Sequence, residues 1–177
     1  MIKQGKQLEN QAIIEVARLM CIAARTAPKA RGRDNLVTLL LTQGDMNPLI
    51  AEMERWGKET DGQVFLRDAE TLHKVPAILL LGTKIEQMEL TGCGFCGFKD
   101  CQDNRAHKGI CAFNTGDLGI AIGSAVSVAA DHRVDTRILF SAGKAALNLK
   151  LLGTDVKVAY GIPISVSAKN PFFDRKK

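Results

Sequence analysis

The chain has 177 residues, of which 46% are hydrophobic and 24% are charged, a balance typical of one globular domain spanning 1–177. No apolar run reaches the roughly 18 residues that a membrane span needs, and residues 1–11 lack the apolar core of a signal peptide. We therefore expect a cytoplasmic protein with no membrane partner. The net charge of +5 comes with only seven Phe, one Tyr and one Trp, so the chain offers no stacking surface for nucleic acid.

Hydrophobic periodicity predicts that helices and strands alternate in the first half of the chain. The predicted helices cover 8–25, 47–56 and 66–74, and the predicted strands cover 36–41 and 76–81. Both strands are apolar throughout, which is typical of a sheet that helices cover on both faces. On this pattern alone, a parallel sheet is favoured.

The first helix leads into a basic segment, residues 25–33, in which Pro28 and Gly32 stop the helix. Its four cations, one threonine hydroxyl and free backbone amides suit a phosphate held by charge and hydrogen bonds. A solvated basic loop explains the same residues equally well. This segment alone therefore leaves the two interpretations open.

Four of the five cysteines fall within residues 91–111, at the spacing C-x2-C-x4-C-x9-C. They are Cys93, Cys96, Cys101 and Cys111. In a reducing cytoplasm, clustered cysteines are metal ligands more often than disulfide partners. Cys21 stands apart from them, and we expect it to be a small buried hydrophobe.

The spacing of the four cysteines favours a 4Fe-4S cluster, with a zinc ion and disulfides as the alternatives. Structural zinc sites usually pair two C-x2-C units, whereas only the first pair has that spacing here. Gly92, Gly94 and Gly97 allow backbone amides to approach inorganic sulfide, and Phe95 and Phe98 are placed to exclude water. The fourth ligand, Cys111, is the least certain on spacing.

The second half of the chain is predicted to contain helices over 117–131 and 137–151 and a last strand over 155–166, broken or bent by Gly161 and Pro163. Small residues recur along the first of these helices, so another helix or a flat ring can come close to it. Tight helix packing is the plainer explanation. No side-chain acid or base stands out as a catalytic group.

Two resemblances to known families follow from these motifs. The segment TGCGFCGFKDC is similar to the Cys-Gly-x-Cys-Gly-x-x-x-Cys core of small four-iron ferredoxin-type modules in bacterial electron-transfer subunits. In those modules the last cysteine usually lies further downstream than Cys111 does. The whole chain resembles the uncharacterised ferredoxin-domain-containing proteins of bacteria and archaea.

The flanks of the cysteine segment resemble the FMN-dependent nitroreductases. The segment RTAPKAR resembles the Arg-x-Ser-x-Arg-type loop that holds the flavin phosphate in that superfamily, and DLGIAIGSAVSVAADHRVDTR resembles its central dimer helix. The C-terminal VAYGIPISVSAKNPFFDRKK resembles its closing strand and tail. The resemblance implies an FMN-phosphate site formed by Arg25, Thr26, Lys29, Arg31, Lys169 and Arg175.

The same resemblance implies the fold and the assembly. The fold would be an α+β sandwich with a mostly antiparallel sheet between helices, and the cysteine segment would be an insertion at 91–111. The protein would be a homodimer with FMN at the dimer interface. We follow this resemblance in preference to a parallel sheet, because dimer helices would cover an antiparallel sheet equally well.

Three functions are consistent with the sequence. The first is an oxidoreductase that passes electrons between the cluster and FMN to an unknown acceptor. The second is a non-enzymatic electron carrier or redox sensor that binds only the cluster. The third is a zinc-stabilised nucleic-acid-binding module, which only the basic isoelectric point supports.

Overall fold

The computed structural model describes residues 4–173, in which six helices and four strands are formed. The helices are α1 (Gly5–Thr26), α2 (Asn47–Glu59), α3 (Gln63–Leu72), α4 (Cys101–Ala106), α5 (Ala112–Asp131) and α6 (Phe140–Asn148). The strands are β1 (Leu36–Thr42), β2 (Ala77–Lys84), β3 (Asp135–Thr136) and β4 (Val156–Ser165). Among the described residues, no helix has the length and apolarity needed to cross a bilayer.

The four strands form one antiparallel sheet in the order β1-β2-β4-β3. This confirms the α+β sandwich implied by the resemblance, and the parallel sheet suggested by the apolar strands alone is wrong. The apolar runs have another cause. Alternate residues of β2 enter two separate cores, so both faces of the strand are buried.

Each core lies between one face of the sheet and a layer of helices. Leu79 and Leu81 of β2 pack in the core formed with α1 and α5. Ile78 and Leu80 pack in the core formed with α2, α3 and α6. The cysteine segment leaves the end of β2 and returns to the start of α5, so the first of these layers carries the candidate site.

Helix boundaries differ from the prediction in the second half of the chain. Helix α5 begins at Ala112, five residues before the predicted start, and the short helix α4 was not predicted. The predicted helix 137–151 is shorter, because Leu139 exchanges backbone hydrogen bonds with Gly161 of β4 and is held extended. The last strand, predicted to be broken or bent by Gly161 and Pro163, is continuous from Val156 to Ser165.

Helix α6 approaches the sheet closely at a glycine. A Cβ atom at Gly143 would lie 1.9 Å from the carbonyl oxygen of Ala159 on β4. No rotamer change relieves a clash between a Cβ and a backbone atom, so α6 would have to move away from the sheet. Gly143 therefore sets the distance between α6 and β4.

We expect Gly143→Ala to lower the free energy of unfolding by about 3 kcal/mol, as overpacking of a rigid core does. Urea unfolding followed by circular dichroism measures the change. Gly44→Ala is the matched control, because a Cβ at Gly44 meets nothing within 4 Å. An unchanged urea midpoint for Gly143→Ala would contradict the close packing described for α6.

A buried carboxylate joins α2 to α6. Glu52 accepts hydrogen bonds from Arg55 and, at 2.8 Å, from Asn148. The hydrogen bonds from Arg55 are the main cause that holds the pKa of Glu52 below its ordinary value, although desolvation acts to raise it. A carboxylate with a lowered pKa stabilises the fold above its ordinary pKa, and this stability is lost as the pH falls through the folded-state pKa.

We therefore expect acid to destabilise the wild-type protein more than the Glu52→Gln variant, which has no carboxylate to protonate. The difference should develop below the ordinary glutamate pKa of 4.5. Urea midpoints measured at neutral and acid pH give the comparison. Glu9→Gln, at an exposed position of α1, is the control and should follow the wild type.

Candidate metal centre and adjoining cavity

The structure brings all four cysteines of the 91–111 segment to one cavity, which we call the thiol cavity. Cys93 and Cys96 lie in the turns that follow β2, Cys101 begins α4, and Cys111 immediately precedes α5. Each thiol is free, so no disulfide forms among these residues. The sequence analysis predicted all four as ligands of one centre, and the start of α5 brings Cys111, the most distant along the chain, to the same cavity.

Glycines make the turns around Cys93 and Cys96 possible. Gly94 has a φ of +62° and Gly97 has a φ of +84°, in the left-handed region that residues with a Cβ rarely adopt. A Cβ at Gly97 would meet no atom within 4 Å, so the requirement is conformational and not steric. These turns fold the chain around the two thiols.

Cys111 is the most enclosed of the four thiols. Its residue is 6% exposed, and it occupies the N-cap position of the 20-residue helix α5. The first backbone amides of a helix have no partner within the helix and carry partial positive charge, which favours a negatively charged group beside them. The sequence made Cys111 the least certain ligand, but its N-cap position joins the thiol cavity directly to α5.

Hydrogen bonds of polar side chains hold together the backbone segments that carry the thiols. Asp100 caps α4 by accepting a 2.8 Å hydrogen bond from the amide of Asp103. Buried Asn104 accepts a 2.8 Å hydrogen bond from Gln87 and donates a 3.3 Å one to the carbonyl of Ile110. These bonds tie the loop after β2 to α4 and to the residue before Cys111. The sequence analysis did not identify Asn104 or Gln87.

The donor set suits a soft metal centre, because four free thiols share one cavity. No group of three or more metal-ligating side chains among residues 4–173 is arranged around one ion position. The free volume of the cavity is about 30 Å³. One helical turn after Cys111, buried Asn114 also carries an amide nitrogen with no partner in the described chain.

A second cavity adjoins the first, and we call it the apolar cavity. It has a volume of about 370 Å³, within the usual range for small-molecule sites. Its lining is almost entirely apolar and comes from the basic segment, the cysteine segment and α5. The residues are Pro28, Lys29, Ala30, Phe95, Ala112, Phe113, Gly116, Asp117 and Ile120. Tight packing alone, the plainer explanation for the small residues of α5, does not fill this space.

Two stacked aromatic rings form the wall between the cavities. Phe95 and Phe113 lie parallel, with ring centroids 5.7 Å apart and planes at 5°. Both line the thiol cavity and the apolar cavity. Phe95 is 78% exposed, so it does not exclude water from the site as its sequence position suggested. The two cavities are therefore separated by little more than these side chains.

The predicted phosphate ligands of the basic segment already bind the protein itself. Lys29 donates to the carbonyls of Ala24, Arg25 and Ala27, which uses all three N–H groups of its ammonium. The Thr26 hydroxyl donates to the carbonyl of Ile22, within its own helix. A phosphate could take a hydrogen bond from either side chain only by displacing one of these.

The two arginines of the predicted set tie the basic segment to its surroundings. Arg25 pairs with Asp34 and donates to the carbonyl of Leu36 at the start of β1. Arg31 donates a 2.9 Å hydrogen bond to the carbonyl of Met88, in the loop that lines the thiol cavity. A guanidinium has five donors, so both arginines keep N–H groups that these contacts do not use.

A buried carboxylate connects the basic segment to α5. Asp117 accepts hydrogen bonds from the amide of Ala30, at 3.1 and 3.0 Å to its two oxygens. Both residues line the apolar cavity. No local pattern in the sequence indicates this contact, because the two residues are 87 positions apart.

The remaining predicted residues lie elsewhere. Lys169 follows the end of β4 that pairs with Ala77, whereas Arg25 contacts the opposite end of the sheet. Arg175 is outside the described residues. Cys21 packs against the α1–α5 core, and burial raises the pKa of its thiol, with an opposing hydrogen bond involving Thr38. Within one chain, the structure does not bring Lys169 to the basic segment.

Several solved structures share this fold. A BluB-like flavoprotein from Clostridium difficile aligns with a TM-score of 0.58 at 17% identity, over 92% of this chain and 84% of that one. An oxidoreductase containing FMN gives a TM-score of 0.57 at 13% identity, over 88% and 67%. A nitroreductase family protein from Clostridium novyi gives 0.54 at 13% identity, over 86% and 73%. At these identities the likeness concerns the fold.

Sequence comparison identifies the family. Residues 107–175 match the family described as "Uncharacterized protein containing a ferredoxin domain" (DUF2148), a match that includes Cys111 but begins after Cys101. An "Uncharacterized protein" of Archaeoglobus fulgidus is 37% identical over 183 residues, covering 99% of this chain and 98% of its own. This chain therefore belongs to the family of proteins that contain a ferredoxin domain, and it has a nitroreductase-like fold.

Proposed function

We propose that the protein is an iron–sulfur flavoprotein oxidoreductase of the cytoplasm. Cys93, Cys96, Cys101 and Cys111 hold a 4Fe-4S cluster, and the apolar cavity holds FMN. The observation that supports both assignments is the shared wall between the cavities, where Phe95 and Phe113 stack. When bound, the cluster supplies one-electron transfer and the flavin exchanges one-electron for two-electron chemistry.

The arrangement of the thiols supports a cluster in preference to one zinc ion. A zinc ion needs its sulfurs at about 2.3 Å from a single point. In a 4Fe-4S cluster each thiolate binds a different iron, so the four sulfurs do not converge on one position. The four cysteines share a cavity, and only their first pair has the C-x2-C spacing that structural zinc sites usually repeat. The glycine turns then supply backbone amides that can donate to sulfur.

The apolar cavity suits the ring of a flavin, and Arg31 of the adjoining basic segment is the candidate to bind the phosphate. Apolar side chains line most of the cavity, and its two charged residues, Lys29 and Asp117, already form hydrogen bonds within the chain. Arg31 keeps unused N–H groups close to this loop. A similar solved structure, an oxidoreductase containing FMN, gives a precedent for flavin on this fold.

A cluster-only electron carrier or redox sensor is the second candidate. The contacts of the basic segment favour it, because Lys29 and Thr26 already donate within the chain and Arg25 is paired with Asp34. On this view the segment stabilises the end of α1 and the start of β1. Flavin binding is the property that separates the two candidates.

Anaerobic purification tests the proposal directly. We expect brown protein that a reductant bleaches, with about four iron and four sulfide per chain and FMN released by heat. Iron and sulfide without flavin, and without saturable binding of added FMN, would favour the cluster-only carrier. Colourless protein that contains zinc would contradict both candidates and leave the structural-zinc module.

We also propose a homodimer formed through α5. Gly116, Ile120 and Gly123 recur at helical spacing, and a Cβ at either glycine would meet nothing within 4 Å. Ile120 is 50% exposed, and Ile22 of the neighbouring helix α1 is also exposed. Removing such a stripe from water is favourable, and small residues allow a second helix to approach closely.

We expect Gly123→Arg to convert a dimer to a monomer, because a large charged side chain would be placed in the helix contact. Light scattering coupled to size-exclusion chromatography measures the mass against the 19.2 kDa of one chain. Ala51→Arg, at an exposed position of α2, is the matched control and should leave the mass unchanged. A wild-type mass of one chain would contradict the proposed dimer.

A further inference from the structure

A concave surface beside α4 is lined by cations and isoleucines, and we call it the basic surface. Its volume is about 470 Å³. Its lining includes Arg105, Lys108, Lys157, Ile85, Gln87 and Ile110, and no carboxylate. Ile110 is 49% exposed, so an apolar side chain stands among the cations. The surface thus combines positive charge with an accessible apolar contact.

The positive charge of this surface is only partly balanced from within the chain. Among residues 4–173, neither Lys108 nor Lys157 forms an ion pair with a carboxylate. Asp155, two residues before Lys157, pairs with Lys84 at 2.6 Å and is attracted more weakly by Lys157. Arg105 pairs with Glu89, which leaves part of the guanidinium free.

The other carboxylates of the cysteine segment and the loop before it are also engaged inside the chain. Glu86 pairs with Arg33. Asp100 caps α4, and Asp103 accepts from the amide of Lys99 and contacts His107. None of these residues lines the basic surface. The lysines are therefore available to carboxylates of another molecule.

The basic surface lies close to the thiol cavity, because the two share one residue and are lined by residues that are adjacent in the chain or joined by a hydrogen bond. Gln87 lines both of them. Arg105 lies four residues after Cys101 on α4, about 6 Å along the helix axis. Ile110 directly precedes Cys111, and its carbonyl accepts the hydrogen bond from Asn104. A molecule seated on this surface would lie next to a centre held by the four thiols.

From this placement we infer that the basic surface docks an acidic electron-carrier protein that exchanges electrons with the cluster. The inference rests on the proposed function and adds the class of partner. One electron leaves the carrier's iron–sulfur or flavin centre and one enters the cluster, and no bond forms or breaks. The cations attract carboxylates on the carrier, and Ile85 and Ile110 supply an apolar centre to the contact.

Charge and surface chemistry favour a protein over a nucleic acid as the occupant. Single-stranded nucleic acids need aromatic side chains on which bases stack, and no aromatic residue lines the basic surface. An electron carrier must instead approach a redox centre closely, and an apolar contact beside that centre allows such a complex to form. Charge complementarity mainly raises the association rate of such partners.

The test uses cluster-loaded protein and a reduced acidic two-iron ferredoxin as the probe, with stopped-flow detection. We expect the second-order rate to fall at least about tenfold as the ionic strength rises from about 0.01 M to 1 M, where screening shortens from roughly 30 Å to 3 Å. The double variant Lys108→Glu/Lys157→Glu should lower the low-salt rate by about tenfold or more. Lys6→Glu/Lys58→Glu, an equal charge change at exposed positions of α1 and α2, should alter it less than about twofold.

Reduction by dithionite separates this inference from the proposed function. Protein that holds no cluster contradicts the proposed function itself. The inference is tested where the cluster is present and dithionite reduces the wild type and the variants at the same rate. If the rate of reduction by ferredoxin then changes neither with salt nor in the Lys108→Glu/Lys157→Glu variant, the inference is overturned. Loss of single-stranded DNA binding in the double variant, with an unchanged ferredoxin rate, would overturn it in favour of nucleic acid.

Discussion

Replacement of one cysteine, Cys96→Ser, is expected to abolish cluster incorporation. A serine hydroxyl is a harder and more weakly acidic ligand than a thiol, so the cluster would lose one of its four protein ligands. Iron and sulfide in the anaerobically purified variant should fall to about a tenth of the wild-type content or less. The absorption of the cluster in the visible range should fall with them.

Cys21→Ser is the matched control for this experiment. Cys21 packs beside the core of α1 and α5, does not line the thiol cavity, and is half-buried like Cys96. The variant should keep its full iron content. Equal iron in Cys96→Ser and wild type would show that Cys96 is not a ligand and that the set of four is wrong.

The second large effect is expected when the apolar cavity is filled. Gly116 lies on α5, lines this cavity and has open space around it. The side chain in Gly116→Phe would occupy the volume that we assign to the flavin ring, so the affinity for FMN should fall by about 100-fold or more. Quenching of FMN fluorescence during titration of the flavin-free protein measures the dissociation constant.

Two further measurements make the cavity result specific. Ala51→Phe adds the same ring to an exposed position of α2 and should leave FMN binding unchanged. The cluster content of Gly116→Phe should remain that of the wild type, since Gly116 does not line the thiol cavity. Unaltered FMN affinity in Gly116→Phe would place any bound flavin elsewhere.

Local sequence was enough to predict that neighbouring cysteines can share one bound group, but not that a cavity lies beside them. Cys93, Cys96 and Cys101 are close in the chain, and the glycines between them allow tight turns, so spacing alone indicates that they can share a group. The apolar cavity depends on packing α5 against the basic segment. That contact joins Ala30 to Asp117, which are 87 residues apart, and no local pattern encodes it.

The antiparallel sheet shows a different limit of sequence reasoning. A run such as Leu79–Leu80–Leu81 indicates burial on both faces, but burial does not specify strand direction. The resemblance supplied the direction that the pattern lacked. Likewise, the composition of the basic segment was equally consistent with a phosphate site and with a solvated loop, whereas the side-chain contacts of Lys29 and Thr26 are set by the end of α1. Charge in a loop does not reveal which charges are already used.

The exposure of Phe95 has a consequence for handling the protein in air. This ring is one of two that separate the thiol cavity from the apolar cavity, and it is 78% exposed to solvent. Dioxygen dissolved in water can therefore reach the wall of the thiol cavity directly when the apolar cavity is empty. A ligand in the apolar cavity would cover the Phe95–Phe113 pair. The lifetime in air of a cluster in the thiol cavity should therefore be longer when the apolar cavity is occupied.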